Sequence, residues 1–473
     1  MRVEAAHDGR SQDLDRGLGL VAAMGVIIAN VVGTGVFMKA RVMIVNVGTP
    51  GLVLMAWLVA GLLTLAGSLV FGELSAMAPR AGGQFNFIGA AYGRRLAFLF
   101  AWSRVIATGG GVAAIAILTV TFLNDALGGT LTPEALRLLP VGLIGVGMAL
   151  NLASVRTTGL AATLLTVVKI GAVLVIAGGS FLLSDGSLDH LALSGADGAG
   201  HGVPESARLG WAGFGAAMGA ALWGYNGWAI ITTLGGEVRD PGRVLPRAMV
   251  FSTLLVMGLY LLVNVAYFHA LTPREIADLP VELSVAGATV TRFAGRGATS
   301  VLAVVLTVSA YATMHVSLLV AARVPFAMAR QGLAPAAFGK LNSQQVPALS
   351  VIVLAAAAAI LAFTGTFDSL TDLTIFVLWV FFGLAGSTVL VLRRRLPDAP
   401  RPYCVPGYPV VPLVFLAVTL FMLGGMIVST PGRCLMGMGL VALGLPLYSL
   451  RARTLPADDP QAWLGSEDGV QAP

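Results

Sequence analysis

The chain has 473 residues, of which 57% are hydrophobic and only 11% charged, with a mean hydropathy of +0.86 and a formal charge of +6. So few charges cannot cover the surface of a soluble domain, and the low polar content excludes intrinsic disorder. Two cysteines exclude a disulfide-built secreted fold, and cations scattered over many short segments exclude a nucleic-acid surface.

A bilayer core needs about 20 apolar residues per helix. Uncharged runs of that kind occur at 17–38, 52–71, 105–124, 138–153, 170–184, 209–235, 248–273, 297–322, 346–367, 373–392, 402–432 and 434–450. The third span begins near Leu96 and includes Arg104; the fifth begins near Thr158 and includes Lys169. These are twelve transmembrane helices. A β-barrel would show alternating segments of about ten residues, and none is present. The first span is not a cleavable signal peptide, because no A-x-A-like site follows it and charges return only at Lys39 and Arg41.

Placing the N-terminus in the cytoplasm puts most of the cations inside, among them Arg2, Arg94, Arg95, Arg239, Arg243, Arg247 and Arg393–Arg395. The outer loops keep Arg137, Arg208, Arg274, Arg292, Arg296 and Arg433. That asymmetry follows the positive-inside rule and supports the alternation. Cys404 and Cys434 then lie at opposite faces and cannot pair. The tails 1–16 and 454–473 are polar, the outer loop 185–208 is rich in Gly, Asp and Ser, and 274–293 reads as a short amphipathic surface helix. The sequence has no phosphate-binding loop and no metal-spaced His/Cys cluster, so no cofactor or metal is expected and an ATP-driven pump or enzyme is disfavoured.

Two spans carry helix-breaking clusters: Gly33-Thr34-Gly35 in span 1, and Gly224, Asn226 and Gly227 in span 6. Glycine in a membrane helix ordinarily serves close packing. Two clusters at corresponding places point instead to an inverted-repeat transporter with its site at mid-membrane. The repeats are then 17–184 and 209–395, with 402–453 added after them. An unwound helix leaves free N–H groups on one side and free C=O groups on the other. The first attract a carboxylate and the second an ammonium, and an α-amino acid carries both.

Val31-Val32-Gly33-Thr34-Gly35-Val36-Phe37 resembles the S/T-G-(I/V)-F segment of the amino acid–polyamine–organocation superfamily. Leu222-Trp223-Gly224-Tyr225-Asn226-Gly227-Trp228, followed by Glu237-Val238-Arg239-Asp240-Pro241, is similar to a stretch of its L-type amino acid transporter branch. Gly72-Glu73-Leu74 through Phe85, Arg323 through Pro335, and Lys169 in span 5 agree with the same branch. The resemblance covers about residues 17–450. It implies an all-α membrane protein, a LeuT-like five-plus-five inverted repeat with helices 1 and 6 broken. It also implies alternating access across the plasma membrane, and the Ala- and Gly-rich composition reads as bacterial, so that membrane is an inner membrane. N–H groups around Thr34 and Gly35 would hold the substrate carboxylate, near Gly33. Carbonyls of Val31, Trp223, Gly224 and Asn226 would take the α-amine, and Trp223 would close over the substrate, unless it is an interfacial anchor.

Lys169 lies deep in a lipid helix, where a cation faces a cavity or a partner. The resemblance makes it a fixed substitute for sodium bridging span 5 to spans 1 and 8, which implies sodium-independent exchange. Proton coupling, or a purely structural pair, are the alternatives. Glu73 and Arg104 share a depth and either pair or snorkel separately; His315 either packs or contacts substrate. Asn226, where relatives carry Gly or Asp, points to a neutral, small or polar substrate such as Ser, Thr, Ala or Cys. Gly236 leaves Glu237 as a lone acid, and loop 124–137 has no cysteine for a disulfide-linked heavy chain. The expected form is a monomer or homo-oligomer in the lipid bilayer. A symporter, a nutrient-sensing receptor or a channel are the competing functions.

Overall fold

In a computed structural model, residues 18–33, 35–79, 82–153, 158–194, 208–233, 235, 238–281, 283–330, 332–344, 346–452 and 463 are described. They form helices, and their single bridge of extended backbone pairs Leu18 with Val238. In chain order the helices are α1 (Leu20–Val31), α2 (Gly35–Met38), α3 (Ala40–Val47), α4 (Pro50–Met77), α5 (Gln84–Tyr92), α6 (Arg94–Ala126), α7 (Pro133–Ala153), α8 (Thr158–Leu183) and α9 (Gly210–Tyr225). They continue with α10 (Pro241–Ala270), α11 (Pro273–Ala277), α12 (Val285–Ala321), α13 (Arg323–Arg330), α14 (Ala348–Thr364), α15 (Phe367–Arg395), α16 (Val410–Ser429), α17 (Pro431–Ala442) and α18 (Gly444–Ala452).

Local chemistry fixes the ends. Thr49 caps α4 by accepting the Leu52 N–H, and Pro50 fits the first helical position, where no N–H is needed. Reciprocal capping boxes start α11 at Thr272/Glu275 and α15 at Thr366/Ser369. Among the described residues, ten helical segments are long and apolar enough to cross a membrane. Ala348–Thr364 is apolar but shorter, and α9 spans only 16 residues before span 6 breaks, so length alone does not reach the count of twelve.

Packing puts the broken helices at the centre. α1 lies against α8 and α10, α9 against α4 and α16, and α6 against α12 and α15. Gly215 of α9 and Gly425 of α16 touch backbone to backbone: a Cβ on Gly215 would stand 2.8 Å from Gly425 Cα. Small residues at such crossings let helices gain dispersion contact where lipid supplies no hydrophobic driving force. Leu62, Val175, Leu182 and Leu420 form part of an apolar exterior.

Three sequence expectations need correction. Glu73 does not pair with Arg104. Its carboxylate is fully buried and accepts two bonds from Arg393, Nε at 2.8 Å and Nη2 at 2.6 Å, plus the Val405 N–H at 2.7 Å, with Arg401 Nε 3.5 Å away. Equal depth gave the height of the two groups but not the direction each faces. Arg104 has no ion pair among the described residues. Segment 274–293 is not one helix: α11 ends at Ala277 and α12 already begins at Val285. Span 8 therefore starts before Arg292 and Arg296, and Gly295, at φ +74°, lets the chain kink between an outer piece and the membrane span.

Candidate functional site

The chain leaves the helix at Val32, where ψ turns to 100°. Gly33 follows in a bend, Thr34 lies outside the described residues, and Gly35 opens α2. In span 6 the helix ends at Tyr225. Asn226 is extended, with ψ 137°, and its N–H is bonded to the Trp223 carbonyl at 3.2 Å. Gly227 adopts φ +109°, which a side chain resists, and a short 3-10 turn resumes at Ile230. Both clusters therefore unwind their helices.

The two breaks meet. A Cβ on Gly35 would fall 2.6 Å from Gly224 Cα, 2.8 Å from Gly224 N and 2.9 Å from Trp223 Cδ1. Gly227 rests on Asn30 of α1 in the same way, at 3.0 Å from its Cβ. Glycine at 35 and 227 is thus what permits the unwound backbones to touch, while a Cβ on Gly224 would meet the Trp57 ring at 2.7 Å.

A residue outside the sequence-derived set joins them. Tyr260 of α10 is fully buried, and its hydroxyl lies 2.8 Å from the Val31 carbonyl and 2.9 Å from the Gly224 carbonyl. One proton is shared between two acceptors belonging to different broken helices. Trp57 and Tyr225 pack edge-on and tilted around it, with centroids 5.1 and 5.2 Å away, and the Tyr225 hydroxyl donates to the Trp57 carbonyl at 3.1 Å. The signal available in the sequence was a tyrosine hydroxyl, followed four residues later by Asn264, inside an otherwise apolar span.

Lys169 reaches α1 and α12 together. Its Nζ donates to the Ala29 carbonyl at 2.9 Å and to Thr313 Oγ1 at 2.8 Å. Beside it is a small cavity lined by Gly33, Phe37, Phe122, Lys169, Ser309 and Thr313, among others. Of the remaining candidates, Trp223 is buried with its ring edge-on to Phe367 at 6.0 Å, and Asn226 is half-buried at the break. His315 lies against α7: its carbonyl accepts from Asn151 at 3.1 Å, and its Nδ1 has no hydrogen-bond partner among the described residues. Gly236 and Glu237 lie outside the described residues.

Above Trp223 the bundle is closed by ionic contacts. Lys39, 1% exposed, donates to Asp368 Oδ1 at 2.6 Å and Thr371 Oγ1 at 2.7 Å, and its ammonium stands 4.5 Å over the Phe367 ring. Arg433 pairs with Asp372 one turn further along α15. The column Gly35–Gly224, Trp223, Phe367, Lys39–Asp368 thus runs from the breaks to the end of the bundle. At the opposite end the Glu73–Arg393 pair ties α4 to α15, with the Arg393 guanidinium 3.9 Å over Tyr408. Such paired closures on either side of a central site are what a carrier must open in turn.

A helical bundle of this kind, with two facing helix breaks and a buried cation beside one of them, defines an integral membrane transport protein. The sequence matches the amino acid permease family over residues 18–435, and the chain belongs to that family, whose members carry solutes rather than catalyse reactions. The serine/threonine exchanger SteT of Bacillus subtilis (strain 168) is 30% identical over 441 residues, covering 92% of this chain and 96% of its own. The human cystine/glutamate transporter is 28% identical over 446 residues, covering 92% and 85%. The mouse Asc-type amino acid transporter 1 is 27% identical over 444 residues, covering 92% and 81%.

Proposed function

We propose that this protein exchanges small neutral amino acids, such as serine, threonine, alanine and cysteine, across the plasma membrane by alternating access and without sodium. The contact of the two helix breaks, bridged by Tyr260, carries this reading. In this reading N–H groups at the start of α2 hold the carboxylate and the carbonyls of Val31 and Gly224 take the ammonium of one α-amino acid. Trp223 leans on Gly35 and serves as the lid over that site. The amide of Asn226 favours an uncharged substrate side chain. Lys169, hydrogen-bonded to α1 and α12, supplies a fixed positive charge where a coupling cation would otherwise sit. The serine/threonine exchanger among the relatives supports the same substrate class.

In this reading the Lys39–Asp368 end faces outside and both termini face the cytoplasm, an orientation the cation asymmetry supports. Residues 17–184 and 209–395 are the two repeats that rock about the site. The protein works as a monomer or homo-oligomer without a disulfide-linked heavy chain, since loop 124–137 offers no cysteine for one.

Proton-coupled symport is the second reading, favoured by the lack of a carboxylate beside Lys169 among the described residues. Purified protein in sodium-free liposomes separates the two. Uptake of labelled serine only into vesicles preloaded with serine supports exchange. Equal uptake into empty vesicles under an inward proton gradient replaces it with symport.

A further inference from the structure

We propose that the cavity beside Lys169 is a subsite for a monovalent anionic group, with the third N–H of Lys169 and the hydroxyl of Ser309 as its ligands. Lys169 is 3% exposed, and only two of its three donors are used. Lys39, Arg393 and Arg433 each face a carboxylate; Lys169 faces none among the described residues. A buried cation without a counter-charge is costly in a membrane interior, and an anion placed beside it removes that cost.

The lining has the matching chemistry. Ser309 is buried, yet its hydroxyl has no hydrogen-bond partner among the described residues, and it lines the cavity next to Lys169. Thr313 has no donor to spare, because its own proton is committed to the Ser309 carbonyl at 2.9 Å. Phe37 and Phe122, packed edge to face at 6.3 Å, are apolar walls, with Leu306 and Ala310. No acidic side chain and no histidine is part of the lining. A site offering an ammonium proton and a hydroxyl proton, and no carboxylate, repels sodium and accepts an anion.

Two sources supply that chemistry: a free halide, or the carboxylate of the transported amino acid itself. The second source rests on the exchange reading; the first does not.

The test uses the full chain in detergent without sodium, as wild type and as Ser309→Ala. Chloride is titrated against gluconate at constant ionic strength, with the thermal midpoint as readout, and serine binding is measured by calorimetry in each salt. A saturable rise of the midpoint with chloride, its half-saturation raised roughly tenfold in Ser309→Ala, assigns the site to the free halide. No chloride response, but a serine Kd raised about tenfold in Ser309→Ala while ethanolamine, which lacks the carboxylate, is bound equally by both proteins, assigns it to the substrate carboxylate. A chloride response that is the same in Ser309→Ala overturns the proposal. So does no chloride response together with unchanged serine affinity in the variant. Failure of wild type to bind serine refutes the exchange reading separately, and the chloride titration of wild type still decides the halide source.

Discussion

Replacing Gly35 with alanine adds one methyl group where the two broken helices touch. The new Cβ would stand 2.6 Å from Gly224 Cα and 2.8 Å from Gly224 N, and ordinary contact begins at 3.4 Å. The breaks must separate by about 0.8 Å, the difference between 3.4 and 2.6 Å, because the opposing atoms are backbone and cannot rotate away. Overpacking of this kind costs about 1–3 kcal/mol. The same shift displaces the Gly224 carbonyl from Tyr260, 2.9 Å away, and moves the Trp223 ring. Gly35→Ala should therefore lower the thermal midpoint in detergent and abolish serine counterflow in liposomes. Gly25→Ala, on α1 with nothing within 4 Å of its Cβ, is the matched control and should keep both. Wild-type counterflow and an unshifted melt in Gly35→Ala would refute the claim that the substrate site lies at this contact.

Other variants probe the rest of the site. Tyr260→Phe removes the one proton shared by the Val31 and Gly224 carbonyls, and leaving these acceptors misaligned should raise the KM for serine roughly tenfold with the fold retained; a KM within twofold of wild type would contradict this. Asp368→Asn deprives Lys39 of its counter-charge, so a reporter cysteine at Gly111, which lies near the Trp223 ring, should react several times faster with an impermeant maleimide in a background lacking Cys404 and Cys434. An unchanged labelling rate would remove Lys39–Asp368 from the closure. Glu73→Gln breaks a buried pair with Arg393 and should destabilise the protein by about 3 kcal/mol in detergent melts; an unshifted melt would show that the pair adds nothing net. In the segment between α10 and α12, burial alone would raise the Glu275 carboxyl, but bonds from Thr272 and the charges of Arg292 and His190 hold it below its usual 4.5. Its stabilising contribution is complete above the unfolded value and lost as pH falls through the lower folded value, so Glu275→Gln should lower stability at neutral pH and flatten the acid limb, the two proteins converging at low pH.

The helix breaks were legible because their cause is local: glycine at 33 and 227, with Asn226 between small neighbours, marks where the backbone departs from helical angles. Lys169 was legible because a cation deep in an apolar run needs a partner, and its bonds to Ala29 and Thr313 join the spans expected. What escaped depends on azimuth, which hydropathy does not encode. Tyr260 reads as one more core aromatic until α10 is seen to turn it toward both breaks. Lys39 reads as the charge that ends span 1, yet α2 and α3 carry it inward onto Asp368, 329 positions away in sequence. Glu73 and Arg104 share a depth on different helices, and only packing reveals that Glu73 faces Arg393. The early start of α12 was hidden because Arg292 and Arg296 mimic a loop, although both lie within the helix, on either side of the kink at Gly295.

The central claim is that one amino acid enters only as another leaves, with no sodium required. Liposomes holding tritiated serine, placed in sodium-free buffer with carbon-14 threonine outside, measure both fluxes at once. The account predicts influx and efflux in a one-to-one ratio, unchanged when sodium is added and absent when either side lacks amino acid. Influx without matching efflux, or flux that appears only with sodium, would contradict it.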